Sequence, residues 1–247
     1  MLKILRITWL NIKSILCSKE VLMGIALSFA YSMLWILAIH PKHMPLEGYD
    51  AEFGRFLYMV ILYVGISILR NDIRSNTIKC VLTGTLSRRK IMLAKQLALL
   101  ACGFFFFLLM ELNSILAAVI LHNKIAGIGS YLSFNHVELL IAYITITLGM
   151  GNLMILIVAV IFNDKKSILG WIVFLAMVNF YNFGLVTFLG NNSRLAGKFG
   201  LYLKTSIYST SELMMGIVNS KTVSINVVSA LVLFVISTLV IAKREIK

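Results

Sequence analysis

The stretch Leu139–Phe162, "LLIAYITITLGMGNLMILIVAVIF", runs without one charged side chain. At about 1.5 Å of rise per residue, a helix of this length covers a hydrocarbon core of roughly 30 Å, and it reads as a membrane span. Five more apolar runs accompany it: Val21–Ile39, Phe53–Leu69, Leu97–Leu121, Ile168–Leu189 and Val223–Ala242. The second is the weakest, because its uninterrupted apolar part starts at Phe56 and Arg55 has to snorkel to the headgroups.

Composition agrees with this reading. Of the 247 residues 60% are hydrophobic and 13% charged, with a mean hydropathy of +0.92, far from an ordinary soluble domain. The expectation is one all-α, six-span membrane domain over residues 1–247. The first run, Val21–Ile39, exceeds the about 7–15 residues of a secretory h-region and ends in "IHPKH" with no small-residue cleavage site, which makes it a retained span. Ahead of it, within 1–20, Leu2, Leu5, Trp9, Ile12 and Leu16 recur at helical spacing with Lys3, Arg6 and Lys13 along one flank, the pattern of an amphipathic helix lying at the membrane interface. Cys17, Cys80 and Cys102 form no C-x-x-C pair and have no nearby histidine, so no metal site and no disulfide framework is expected.

Orientation follows from basic residues. Sixteen of the 23 Lys and Arg fall on the side holding both termini and seven on the other, which by the positive-inside rule places both termini in the cytoplasm of a plasma-membrane protein. The net charge of +13 is thereby assigned to short loops and anionic lipid, and nucleic acid is not an expected partner.

The most basic of these loops is Arg70–Lys95, "RNDIRSNTIKCVLTGTLSRRKIMLAK", with seven Lys and Arg and one acid. Asn71 or Asp72 can cap a helix over about 71–83 whose Ile73, Ile78, Val81 and Leu82 turn inward, leaving Arg74, Ser75, Asn76 and Lys79 as a polar surface. Charge and periodicity alone fit an ordinary basic cytoplasmic loop equally well.

This layout resembles the ABC-2 type transporter permease subunit: six spans, an interfacial first helix and a helical first cytoplasmic loop. The matching positions are Thr77, Leu82, Thr83, Ser87, Arg88 and Lys95. Gly84 stands where that family often has proline, and Ser75 and Asn76 replace its usual glycine. The resemblance implies that the loop is a coupling helix docking on a separate ATP-binding subunit. Its contact surface would be Asn71, Asp72, Arg74, Ser75, Asn76, Thr77 and Lys79, with Asp164, Lys165 and Lys166 of the second cytoplasmic loop as a minor contact. It implies a homodimer, or a heterodimer with a second permease, exporting a hydrophobic or amphipathic cargo such as a peptide, drug or lipid. It also implies that ATP and Mg are held by the partner and no cofactor by this chain. The chain has no G-x-x-x-x-G-K-[ST] phosphate loop, so an ATP-driven role requires another chain.

Polar residues at membrane depth are the remaining candidates. Glu111 is the one acid inside these six runs; it either contacts cargo in an outer cavity or bonds Asn113, Ser114 or a polar group on a neighbouring span. Asn179 and Asn182 lie one turn apart in "NFYNFG". By analogy with the resembled family, whose cavity is lined by the first, second and fifth spans, Tyr31, Trp35, Tyr58, Tyr63, Asn179 and Asn182 are lining candidates. The connection Gly190–Thr222 holds two half-apolar runs expected to form short outer-leaflet helices, which that family often has before its last span. A polytopic membrane enzyme needs clustered His, Asp or Glu at depth, whereas His40, His43, His122 and His136 all fall in outer loops; no catalytic or metal residue is assigned. A non-transporting immunity or sensor protein also fits the sequence.

Overall fold

The computed structural model describes residues 2–41, 43–74, 87–123, 125–161, 165–192 and 197–243. The elements are α1 (Leu2–Leu16), α2 (Lys19–Leu34) continued by a π-helical turn (Trp35–Ile39), α3 (Leu46–Arg74), α4 (Arg88–Leu121), α5 (Ile128–Leu132), α6 (His136–Ile161), α7 (Lys165–Asn191), α8 (Ser206–Met214) and α9 (Ser220–Lys243). Two 3₁₀ turns, Gly197–Phe199 and Tyr202–Lys204, precede α8. No strand occurs among the described residues.

Six of these helices are long and apolar enough to cross a membrane: Lys19–Ile39, Leu46–Asn71, Arg89–Leu121, His136–Ile161, Lys166–Asn191 and Ser220–Lys243. Local chemistry sets their ends. Ser18 caps α2, its hydroxyl accepting from the Val21 N–H at 3.4 Å. The π turn closes at His40, which takes the left-handed conformation (φ 37°) and donates its N–H to the Trp35 carbonyl at 2.8 Å; Pro41 then bars continuation. His122 ends α4 the same way, at φ 45°.

α3 differs most from the sequence expectation. It begins seven residues before Phe53 and runs unbroken through Arg74, so Asn71 and Asp72 continue the helix of the span and do not cap a new one. The reason is a buried stripe of Leu46, Tyr49, Phe53 and Leu57, whose helical spacing outweighs the acids between them.

α3 and α6 form the centre of the bundle. Small residues let them meet: a Cβ on Gly65 would lie 2.8 Å from both the Cα and the carbonyl oxygen of Gly151, and a Cβ on Gly151 would lie 2.7 Å from Leu99 Cδ2 of α4. Neighbours in sequence run antiparallel, as Asp50 with Ser114 (α3, α4) and Gln96 with Asn152 (α4, α6) require. α1 lies across the corner between α3 and α4, where Thr8 Oγ1 donates to the Ala94 carbonyl at 3.2 Å and Asn71 Nδ2 to Ser14 Oγ at 3.4 Å. Lys95, the last residue of the basic stretch, is buried under this corner with its Nζ donating to the Ile68 carbonyl of α3.

The 190–222 connection folds into the bundle. Every residue from Tyr208 to Ser211 is buried, and Asn226 of α9 accepts from Thr210 Oγ1 at 3.0 Å while donating to Ser209 Oγ at 2.8 Å.

Candidate functional site

The expected coupling surface lies only partly within the described residues. Ser75, Asn76, Thr77 and Lys79 lie outside them, as does Asp164. Asn71, Asp72 and Arg74 end α3, and Lys165 and Lys166 begin α7, with Asn71 and Lys166 exposed or bonded at that end. Both roots of the basic segment are therefore attached to α1: Asn71 through Ser14, and α4 through the Thr8 bond to Ala94.

The depth candidates separate into three places. Tyr31 and Trp35 belong to the first. Tyr31 donates its hydroxyl to Glu52 Oε2 at 3.1 Å, and Glu52 Oε1 pairs with Arg55 Nη1 at 3.2 Å, one turn along α3. Phe56 lies 4.3 Å, ring to ring, from Tyr31 and 6.0 Å from Phe180, while the Arg55 guanidinium sits 4.6 Å from the Phe183 ring centre and 5.7 Å from that of Phe180. Rings from α2 and α7 thus close on an ion pair carried by α3, and the rings stabilise the guanidinium where water is scarce. The Arg55 side chain is held against the bundle by Glu52 and these rings.

One expected outcome follows. Arg55→Met strands Glu52 in an apolar setting and lowers stability by about 2 kcal/mol, while the double variant Glu52→Gln/Arg55→Met recovers most of that loss. Thermal unfolding of the purified protein in detergent reads both.

Tyr58 and Tyr63 do not join this group. Tyr58 is fully buried with its hydroxyl 3.3 Å from Met150 Sδ, and Tyr63 is half-buried against the core. Asn179 and Asn182 form the second place. They face α8 and the turn before it: Ser211 Oγ donates to Asn179 Oδ1 at 2.8 Å, and the Tyr202 hydroxyl donates to Asn182 Oδ1. Their partners tie α7 to the 197–214 segment.

Glu111 is the third. It bonds neither Asn113 nor Ser114; its Oε2 accepts from the Tyr131 hydroxyl at 2.8 Å and its Oε1 lies 2.8 Å from His136 Nδ1. This carboxylate therefore holds α5 and the start of α6 onto α4. Burial, followed by the bond to Glu111, pushes the Tyr131 hydroxyl up to about 12, so it remains a donor across the physiological range.

Asn113 and Ser114 serve a different acid, Asp50. Asn113 Nδ2 lies 3.0 Å from Asp50 Oδ1 and Ser114 Oγ 2.7 Å from Asp50 Oδ2. Asp50 and Glu52 escaped the sequence reading because three acids in "LEGYDAEFGRF" broke the apolar run; the Leu46, Tyr49, Phe53, Leu57 stripe was the signal that they belong to a span.

No family model matches the chain, and no curated protein matches it in sequence. Fold and site together define a helical protein with six candidate membrane spans.

Proposed function

We propose that the chain is the membrane-spanning subunit of an ABC-2 type exporter, moving a hydrophobic or amphipathic cargo by alternating access under the drive of a separate ATPase subunit. It acts as a homodimer or beside a second permease, with both termini in the cytoplasm of the plasma-membrane face. The observation that carries this reading is the basic connection between α3 and α4, whose two roots are both fastened to α1. A partner pressing on that connection moves α1, α3 and α4 together, which is the mechanical requirement for coupling. The ion pair of Glu52 and Arg55, ringed by Tyr31, Phe56, Phe180 and Phe183, supports a polar group at depth that cargo can meet.

The test is co-purification. The chain retains an ATP-binding protein from its own membranes, and the complex hydrolyses ATP. Arg74→Ala, Asn76→Ala and Lys79→Ala together weaken that association by about tenfold or more, because charged anchors carry a large share of such interfaces. Purification without an ATPase, or an interface indifferent to the triple variant, overturns the reading.

A further inference from the structure

Helices α4, α6 and α9 leave a groove of about 260 Å³ between them. Leu93, Gln96, Leu97 and Leu100 form its α4 wall, at the spacing of one helix face. The groove opens outward, since Leu93 is 50% exposed and Leu231, on the α9 wall, 59%. On helices that cross a membrane, that opening faces lipid.

The polar side chains of the groove each have a partner already. Gln96 and Asn152 exchange two amide hydrogen bonds, one of them at 2.9 Å, and Thr145 Oγ1 donates to the Ile141 carbonyl at 2.8 Å. Among the described residues no charged side chain lines it. What the groove offers an occupant is hydrocarbon surface, and a hydrocarbon chain fits it.

Charge enters at one end. Arg89 and Lys90 stand exposed four and three residues before Leu93, so they continue the same helix face one turn beyond the groove. Ser87 precedes them in the extended N-cap conformation, yet its side chain makes no capping bond. The positive end of a 34-residue helix therefore joins two cations at this mouth. At about 1.5 Å per residue, the α4 wall runs from about 6 Å to about 17 Å below Arg89, the depth of one leaflet of a roughly 30 Å hydrocarbon core. A soluble anion meets the cations and leaves the groove empty, whereas a zwitterionic lipid fills the groove but brings a cation of its own to the mouth. An anionic lipid satisfies both.

We propose that this groove holds an acyl chain of an anionic phospholipid from the leaflet nearer the start of α4, with the phosphate held by Arg89, Lys90 and the first turn of that helix. The site is independent of the export reading, since binding is measured on this chain alone.

The reporter is Leu231→Trp, which puts an indole in the groove wall; should it fail to fold, Val227→Trp, at a position 40% exposed on the same wall, takes its place. The full chain is set in nanodiscs of dioleoyl phosphatidylcholine containing a rising fraction of chain-brominated phosphatidylglycerol or chain-brominated phosphatidylcholine. Quenching of Trp9, Trp35 and Trp171, measured on the protein without the reporter, is subtracted. Brominated phosphatidylglycerol half-quenches the reporter at a fraction lower by about fivefold or more. Arg89→Gln/Lys90→Gln removes that difference, and Lys13→Gln/Lys19→Gln, an equal loss of charge at exposed positions of α1 and α2, retains it. Equal quenching by the two lipids overturns the proposal. A preference that survives Arg89→Gln/Lys90→Gln, or one that Lys13→Gln/Lys19→Gln also abolishes, overturns it too, because either result assigns the attraction to the basic surface at large.

Discussion

Gly65→Leu lowers the thermal unfolding midpoint of the purified protein, with a loss of about 3 kcal/mol or more. A leucine at 65 drives its Cβ to within 2.8 Å of the Gly151 backbone, where no rotamer of the neighbour gives relief, because the contact is main chain. The only escape is to part α3 from α6, the two helices on which the others pack. In a bilayer this matters doubly, since lipid offers separated apolar faces an environment as apolar as the protein core, and close van der Waals contact is what holds the pair. Gly170→Leu on α7 is the control: a Cβ there meets nothing within 4 Å, and the midpoint stays put. Equal losses at both positions would show that leucine harms the helix itself and not the contact.

Asn226→Leu produces the second large effect, about 2 kcal/mol, localised to α8. The Asn226 side chain accepts from Thr210 Oγ1 at 3.0 Å and donates to Ser209 Oγ at 2.8 Å and to the Thr222 carbonyl at 3.1 Å. Leucine leaves Thr210 and Ser209 buried without these partners. Membrane hydrogen bonds average well under that cost singly, but three are lost together. Hydrogen exchange over 206–214 rises in the variant while the centre of α6 remains protected; uniform exchange throughout the chain would contradict a local role.

The spans were legible from sequence because four of them carry no charged side chain and a fifth carries only Glu111, and membrane depth leaves little freedom in how such a run can fold. The far ends of the helices were not. α3 hides its first two turns behind Glu47, Asp50 and Glu52, and hydropathy averages away the Leu46, Tyr49, Phe53, Leu57 stripe that buries them. Pairing at depth was legible in kind only. Glu111 had to find polar partners, yet Tyr131 and His136 come from two other elements, α5 and α6, and no local spacing tells that Asn113 and Ser114, two and three residues away, belong to Asp50 instead. Asn179 and Asn182 share a helix face as the sequence requires; what covers that face is a segment 20 to 35 positions further along the chain.

α3 is one uninterrupted helix of 29 residues, with Asn71 tethered to α1 at one extremity and Glu47 and Asp50 at the other. At about 1.5 Å per residue that is a lever arm of roughly 40 Å. Because Gly65 and Gly151 pin it near the tethered third of its length, a small tilt imposed beside Asn71 swings the longer limb further than the shorter one. Displacement at the root is therefore carried by one continuous helix to the limb that Glu52 bonds to α2 and Asp50 to α4.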